Sequence, residues 1–305
     1  MTGLTVVIAT FNRPERLRRT LDALAAAADA FGGGCNIVIA DNGEERLAED
    51  AARGVSATYV RSRRGNKSAA LNAGIASVKT GWLAFTDDDT VPDREWLATG
   101  MKYAAEHGLN VVGGRVVPGD VGDGLPGWLR GGRNGKAPRG PALVSYEPMA
   151  ESGVLGVRAP VPLGANLFIK KNVFEKYGGY DEDLWVRCGS AALGCEDAEF
   201  GMRIRAAGES IGYCAEAVVV HPVYDERASV RAHLRWAYRN GIREAILFAK
   251  ERLSLPGALR RVAGGAFRCA LRLLGGCPAG AVCEMMAAAQ ALGQCAGRRR
   301  VGRKD

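Results

Sequence analysis

Three consecutive aspartates, Asp87 to Asp89, follow an apolar run that ends at Thr86. A helix cap or a solvated turn needs one carboxylate, whereas three adjacent carboxylates repel one another unless a cation relieves the repulsion. Mg²⁺ and Mn²⁺ prefer carboxylate oxygens and commonly connect them to the phosphates of a substrate. The triplet therefore favours a site for a divalent cation or a diphosphate over a purely structural turn.

A second acidic pair, Glu196 and Asp197, opens a predicted helix over residues 196–207. Because the helix dipole favours acidic residues in the first turn, the same pair is also typical of an ordinary helix start. If the pair faces the aspartate triplet, one of its carboxylates could accept the proton of an attacking hydroxyl. General-base chemistry is thus predicted only if the fold brings the two groups together.

The segments around the triplet indicate the elements that must position it. Apolar runs predict four strands, at residues 4–10, 37–40, 55–60 and 82–86. Helical patterns lie between them, starting at Pro14 and covering residues 44–53 and 68–78. An alternation of strands and helices predicts a parallel sheet that is covered on both faces. Such sheets bind ligands at the carboxyl ends of their strands, which is where the triplet lies.

The later half divides into an irregular stretch, an ordered block and a helical tail. Residues 113–162 are rich in Gly and Pro, which predicts irregular structure that shapes a cleft. The ordered block contains an apolar run at residues 163–169, a short helix from 172, a turn at 178–181, a helix at 196–207 and a strand at 217–220. A long helix over residues 229–252 leads into a tail rich in Leu, Ala and Arg.

Composition narrows the class of protein. The 305 residues are 47% hydrophobic and 24% charged, which is ordinary for a folded globular chain. The net charge of +8 comes largely from arginines after residue 255, and it is compatible with nucleic acid, anionic lipid or a phosphorylated substrate. No aromatic-basic motif supports nucleic acid, so we expect no such partner. The eight cysteines lack metal-ligand spacing and no signal segment precedes Leu4, so we expect reduced thiols in the cytoplasm.

The tail raises the question of membrane contact. Residues 273–297 contain Glu284 as their single charge and exceed the about 20 residues that span a bilayer. Pro278, two glutamines and many small residues make the stretch weakly hydrophobic, so an interfacial or packed helix pair is the better prediction. We expect the arginines of the basic tail to face the anionic inner surface of the plasma membrane. The alternative is that the tail is a soluble helical cap.

Seven short motifs follow one another in order between residues 4 and 222. They are Thr5–Asn12, Ile39–Gly43, Arg64–Gly74, Phe85–Asp89, Gly164–Asn166, Gly178–Asp183 and Cys195–Arg205. As an ordered set they resemble the family 2 glycosyltransferases. The resemblance implies the GT-A fold, an α/β architecture with a mostly parallel, Rossmann-like sheet flanked by helices and a C-terminal helical extension. We accordingly expect a catalytic domain over 1–225, made of a nucleotide-sugar half (1–113) and an acceptor half (114–225), and a basic helical region over 226–305.

The resemblance also implies roles for individual residues. The nucleotide-sugar site would comprise Thr10, Asn12, Asp41, Lys67, Asn72, Asp87 and Asp88. In that site Asp41 would contact the base and Asp87 the ribose, while Lys67 and Asn72 would lie by the ribose and the diphosphate. Ordinary structural alternatives remain open for several of them: helix caps for Asn12 and Asn72, a solvated charge for Lys67 and a turn for Asp41.

Five further residues complete the expected active site. Asp89 would bind a metal, Mn²⁺ or Mg²⁺, and His221 is a candidate additional ligand or, equally, a structural histidine. Asp197 is similar to the family's catalytic base. Glu196 and Trp185 are expected to contact the acceptor, and Trp185 could belong to a flap with the loop 188–194 or serve as a core anchor.

The implied reaction is a single displacement that inverts the anomeric carbon. The donor would be a nucleotide sugar, with UDP preferred, and the acceptor a hydroxyl of a glycan or of a lipid-linked saccharide. Processive members usually carry Gln-x-x-Arg-Trp on the long helix, whereas residues 232–236 read Ala-His-Leu-Arg-Trp, which favours single sugar additions. The alternative is a scaffold protein that binds nucleotide sugars without catalysis.

Overall fold

A computed structural model describes residues 3–32, 34–43, 47–62, 64–120, 124–130, 140–189, 194–247 and 253–301, without the side chains of residues 185 and 299–301. The strands are β1 Leu4–Thr10, β2 Cys35–Asp41, β3 Ala57–Arg61, β4 Trp82–Asp87, β5 Val91–Pro92, β6 Val111–Pro118, β7 Gly153–Val154, β8 Leu167–Lys170 and β9 Ile211–His221. The helices are α1 Pro14–Phe31, α2 Leu47–Ala51, α3 Lys67–Ser77, α4 Trp96–Glu106, α5 Lys171–Tyr177, α6 Leu184–Cys188, α7 Glu196–Ala206, α8 Val230–Leu247, α9 Leu255–Leu274 and α10 Pro278–Val301.

The chain forms two compact units. The first contains Met1–Pro118, Ser145–Glu182 and Gly194–Pro222, and it holds the whole nine-stranded sheet. The second contains Gly119–Val144, Asp183–Leu193 and Val223–Asp305, and it holds α6 and the three long helices α8 to α10.

The first four strands form the parallel arrangement that the alternation predicts. The sheet order is β3-β2-β1-β4-β8-β6-β9-β5, with β7 paired to β9, and β1 runs parallel to both β2 and β4. In this register Thr10 lies beside Asp41, and Ala9 lies beside Asp87. The carboxyl ends of β1, β2 and β4 therefore meet at one edge of the sheet, and that edge collects their polar residues.

The second half of the sheet is mixed. Strand β8 runs antiparallel to both of its neighbours, β4 and β6, while β6 and β9 pair in parallel. The α/β fold with flanking helices is thus confirmed. Strand β8 interrupts the parallel order, and the short strands β5 and β7 also run antiparallel to their neighbour β9. Parallel neighbours need a long crossover connection, whereas a strand that enters from the opposite side can pair antiparallel.

Strand β6 corrects the prediction of irregular structure from residue 113. The strand continues to Pro118 because it pairs with β9 over its whole length, and β9 in turn begins at Ile211 rather than at Ala217. A register shift between Gly114 and Arg115 interrupts the pairing. Strands are recognised from alternating apolar and polar side chains, and the two glycines and the bulge interrupt this alternation in β6. The sequence pattern therefore does not predict the strand.

Asn166 connects the reversed strand to this bulge. Its side chain is fully buried and accepts a hydrogen bond of 2.8 Å from Trp96 Nε1. Its amide nitrogen donates to the carbonyl oxygens of Arg115 and Ala217, at 2.9 Å each. One amide thereby satisfies backbone groups on both β6 and β9, which fixes the strand that leads to His221.

The tail forms a packed helix pair, as expected, in which α9 and α10 contact each other and α10 also packs along α8. Over the described residues, no helix combines the length and the hydropathy that crossing a membrane requires. All eight cysteines carry free thiols.

Close packing between α4 and the sheet predicts the effect of one methyl group. A Cβ added at Gly100 would overlap the ring of Phe168, which is buried and stacks at a tilt on Trp96 with centroids 5.2 Å apart. Alanine gains about 1 kcal/mol of helix propensity over glycine, but overpacking a core typically costs about 1–3 kcal/mol. We expect Gly100→Ala to lower the free energy of unfolding, measured by urea denaturation.

The matched test combines Gly100→Ala with Phe168→Leu, which removes the overlapping ring. The double variant should be more stable than the sum of the two single effects, because the added methyl then has space. Strict additivity of the two changes would contradict a direct clash.

Candidate active site

The three aspartates point in different directions. Asp87 Oδ1 accepts a hydrogen bond of 2.7 Å from Lys67 Nζ, whereas Asp88 Oδ2 accepts one of 2.7 Å from Thr10 Oγ1. Asp89 is buried and lies beside two guanidinium groups, which belong to Arg13 and Arg16 of the β1–α1 segment. Asp87 is therefore paired with Lys67, whereas Asp88 and Asp89 share the Arg13 guanidinium as a neighbour.

Side-chain cations relieve the repulsion that the triplet would otherwise suffer. Arg13 NH1 lies 3.3 Å from Asp88 and 3.5 Å from Asp89, and Arg16 NH1 lies 3.7 Å from Asp89. The three adjacent carboxylates therefore do not by themselves require a metal. Burial raises the pKa of Asp88, and the Arg13 guanidinium opposes that shift.

Lys67 joins the aspartate triplet to the second acidic pair. Its ammonium, at the first residue of α3, lies 2.7 Å from Asp87 Oδ1 and 2.9 Å from Glu196 Oε1. Burial disfavours the ammonium, but the two carboxylates outweigh this effect and raise the pKa of Lys67 well above its ordinary value. The end of β4 and the start of α7 are thus held together by one charge.

Asp87 and the second acidic pair line a common pocket. Its walls are Lys67, Leu71, Phe85, Thr86, Asp87, Gly164, Tyr180, Glu196 and Asp197, all in the first unit. Buried Tyr180 packs edge-on against Phe85, with ring centroids 6.0 Å apart, and forms an apolar floor beside the charges. A pocket with an apolar side and convergent carboxylates is a suitable place for proton transfer.

Asp197 has the environment of a general base. Its Oδ2 accepts a hydrogen bond of 2.7 Å from the Gly164 amide, and its Oδ1 accepts one of 2.7 Å from the Ala198 amide. Burial and then the neighbouring Glu196 raise its pKa to about 6, while Lys67 and the two amides limit the shift. The group is therefore ionised at neutral pH and remains a stronger base than an ordinary aspartate.

Asp89 and His221 form a pair with the donors a divalent cation prefers. Both side chains are buried, and His221 Nε2 lies 3.6 Å from Asp89 Oδ1. His221 Nδ1 lies 3.0 Å from the Pro222 carbonyl, which can only accept, so Nδ1 carries hydrogen and Nε2 faces the carboxylate. Asp89 would supply a carboxylate oxygen and His221 an imidazole nitrogen to such a cation.

The pair would not hold a metal by itself. Within the described part of the chain, no group of three or more His, Cys, Asp or Glu side chains is arranged around a common point. Mg²⁺-type sites commonly combine one or two protein ligands with water and substrate phosphates. Asp89 and His221 fit this kind of substrate-completed site.

Thr10, Asn12 and Asp41 lie at the edge formed by β1 and β2. Asp41 is buried, and its two oxygens accept hydrogen bonds from the Gly43 amide at 2.7 Å and from Tyr59 Oη at 2.6 Å. Asn12 is exposed, with a left-handed φ of 51°. A side chain at Gly43 would come within 2.5 Å of Asn12 Oδ1, so the turn after β2 must be glycine for Asn12 to keep this position.

Asn72 is hydrogen-bonded to the segment that follows α5. Its Nδ2 donates to the Tyr180 carbonyl and to Glu182, and its Oδ1 accepts from the Tyr180 amide at 2.9 Å. The side chain thereby fixes the turn that starts at Gly178 and places Tyr180 in the pocket. The contact of Asn72 with a diphosphate stays a prediction.

The contact of Trp185 with the acceptor also stays a prediction. The side chain of Trp185 and loop residues 190–193 lie outside the described part of the chain.

Several residues at the site were not recognised from the sequence. Arg13, Arg16, Tyr59 and Tyr180 all contact predicted site residues, yet no role was assigned to them. Two arginines three residues apart, directly after the first strand, could have indicated partners for buried acids. Nothing in the local sequence pairs Tyr59 with Asp41, because the contact depends on the β2–β3 register.

The sequence is similar to those of known glycosyltransferases. The family model "Glycosyl transferase family 2" matches residues 5–178, more than half of the chain. The succinoglycan biosynthesis protein ExoM of Rhizobium meliloti is 26% identical over 86% of this chain and 81% of its own length. The glycosyltransferase AglE of Haloferax volcanii is 23% identical over 72% of this chain and 66% of its own.

A solved structure shows the same type of fold. The crystal structure of residues 1–349 of S. aureus TarS superposes with a TM-score of 0.51 at 13% identity. The match covers 78% of this chain and 65% of that one. At this identity the likeness concerns the fold, which is of the GT-A type.

The raised pKa of Asp197 predicts a pH-dependent stability cost. Its value is about 6 in the folded protein, against an ordinary value near 3.8, so the folded state binds more protons between these pH values. The free energy of unfolding should therefore fall as the pH rises from about 4 to 6. Asp197→Asn, which keeps one hydrogen-bond acceptor, should gain about 1–3 kcal/mol at pH 7.5, measured by urea denaturation, and lose this gain near pH 4.

Asp22→Asn is the matched control, because Asp22 is an exposed aspartate of α1 and the change is chemically the same. It should leave stability nearly unchanged at both pH values. A destabilised Asp197→Asn at pH 7.5 would contradict the assigned environment.

Proposed function

Because the chain belongs to glycosyl transferase family 2, we propose that it transfers one sugar from a nucleoside diphosphate sugar, preferably UDP-linked, to a hydroxyl of a glycan or a lipid-linked saccharide. It is a glycosyltransferase, so nucleotide-sugar donors and glycan acceptors are its class of substrates. The observation that carries the finer proposal is the pocket in which Lys67 holds Asp87 beside Glu196 and Asp197.

Asp197 acts in this proposal as the base of a single displacement. Its carboxylate accepts the proton of the acceptor hydroxyl while that oxygen bonds to the anomeric carbon. The bond from this carbon to the diphosphate oxygen breaks, and its electron pair leaves with the diphosphate. Attack opposite to the leaving group inverts the anomeric centre, and no enzyme nucleophile is required.

The remaining residues bind and orient the donor. Thr10, Asn12 and Asp41 surround the nucleoside at the β1–β2 edge, and Asp87 and Lys67 lie by the ribose and the diphosphate. Asp89 and His221 would hold Mn²⁺ or Mg²⁺, which would supply positive charge that neutralises a diphosphate leaving group. Glu196 contacts the acceptor beside Asp197. Support for these roles comes from the single edge that carries the strand ends and from the pocket next to it.

If Asp197 is the general base, its replacement should lower kcat, and kcat/KM of the wild type should depend on pH. Asp197→Asn should reduce kcat by about 10²- to 10⁴-fold, measured by release of UDP from a UDP-sugar with Mn²⁺. In the wild type, kcat/KM should fall below a pH of about 6, where Asp197 becomes protonated. Glu196→Gln removes the charge that raises this pKa, so the acid limb should move to lower pH.

The Asp22→Asn variant again serves as the control and should keep wild-type kcat. Donor-induced thermal stabilisation should persist in Asp197→Asn, because the base is not a donor ligand. If the wild type binds the donor but releases no more UDP than Asp197→Asn, the inactive scaffold is the better description. An acid limb that is identical in Glu196→Gln would assign it to another group.

The metal assignment has its own test. Treatment with EDTA should abolish turnover, and added Mn²⁺ should restore it. Asp89→Asn should raise the Mn²⁺ concentration at half-maximal activity by about tenfold or more, because one of two protein donors is weakened. The Mn²⁺-dependent rise in melting temperature with UDP should weaken in parallel. Full activity after chelation, or an unchanged Mn²⁺ requirement in Asp89→Asn, would refute the assignment.

A further inference from the structure

Helix α9 has two unlike faces. One face packs against α10 through small residues: Ala258 and Gly265 are buried, and a Cβ on Gly265 would lie 3.5 Å from Ala288 Cβ. Large apolar residues at spacings of three, four or eight share another side of the helix, and they are Leu255, Leu259, Phe267, Leu271 and Leu274. All five are exposed, Phe267 by 67% and Leu274 by 86%. This exposed apolar side is called the α9 face.

The residues around the α9 face are strongly basic. Helix α9 contains four arginines, Arg260, Arg261, Arg268 and Arg272, and no acidic residue. Residues 253–301, which form α9 and α10, contain seven arginines and one glutamate, a net charge of +6. The glutamate, Glu284, is already paired, since its Oε2 lies 2.7 Å from Arg268 Nε. The segment thus retains a large excess of positive charge.

A contiguous exposed apolar side on a helix indicates a partner, because leaving such side chains in water is unfavourable. The combination of Leu and Phe with arginines and no acids is typical of a helix that lies in a membrane interface. A symmetric second copy would instead bring two segments of net charge +6 against each other, which is repulsive. The charge therefore favours an anionic partner over self-association.

We propose that the α9 face is a docking surface for an anionic membrane. Phe267, Leu271 and Leu274 enter the boundary between headgroups and acyl chains, while the arginines bind lipid phosphates. The helix lies in the plane of the membrane and does not cross it. This inference does not depend on the proposed reaction, because the surface belongs to the second unit, whereas the candidate site belongs to the first.

The test is flotation of the full chain with lipid vesicles. Vesicles of phosphatidylcholine alone are compared with vesicles that contain about 30% phosphatidylglycerol, at low and at high salt. The wild type should float with the anionic vesicles, bind neutral vesicles at least about tenfold more weakly, and lose part of its binding at high salt. Equal binding to both compositions, or binding to neither, would overturn the proposal.

Two pairs of variants separate the apolar and the charged contributions. Phe267→Ser with Leu271→Ser should lower the partition coefficient at least about tenfold, whereas Val154→Ser with Val157→Ser, two exposed valines of the first unit, should not. Arg260→Gln with Arg272→Gln should weaken binding, whereas Arg18→Gln with Arg19→Gln, the same charge change on exposed residues of α1, should have little effect.

Two further readouts keep the result unambiguous. Melting temperatures of all four double variants should match the wild type, because the altered side chains are exposed. Light scattering without lipid should give a mass that Phe267→Ser with Leu271→Ser does not change. A dimer that this variant dissociates would identify a second copy as the partner and overturn the membrane assignment. Equal losses in the test and control variants would also overturn it.

Discussion

One ammonium group holds the candidate site together. Lys67 lies between Asp87, at the end of β4, and Glu196, at the start of α7, although more than 100 residues separate these acids in sequence. Without a cation at this point, the carboxylates of Asp87, Glu196 and Asp197 would repel one another across the pocket. Lys67 therefore allows the end of β4 and the start of α7 to lie close together. The pocket is formed between these two elements.

The sheet decides which residues can take part in this approach. Parallel pairing of β1 with β2 and β4 brings Thr10, Asp41 and Asp87 to a single edge of the sheet, independently of the orientation of their side chains. The reversed strand β8 then follows Gly164, whose amide binds Asp197. Fold and site are thus coupled through backbone groups as well as through charges. A change in the order of the strands would separate the acids even if every side chain were kept.

The sequence predicts the elements and the convergence of the two acidic groups better than it predicts individual contacts. Strand ends follow from hydrophobic patterns, so the location of Asp87 could be inferred. The different directions of Asp88 and Asp89 could not, because they depend on Thr10, Arg13 and Arg16 across the neighbouring segment. Asn72 shows the same limit: its hydrogen bonds to Tyr180 join segments more than 100 residues apart, and no local pattern predicts them. Strand β6 was missed because its glycines and bulge erase the alternation on which such predictions rest.

The environment of Asp197 connects stability with chemistry. Burial and the charge of Glu196 make the carboxylate unfavourable in the folded protein, and the same two effects make it a stronger base. Lys67 and the amides of Gly164 and Ala198 act in the opposite direction and limit the rise of the pKa. A fully neutralised pocket would be more stable and less basic, whereas loss of Lys67 would raise the pKa of Asp197 further. These opposing influences leave a carboxylate that suits the general-base role proposed for Asp197.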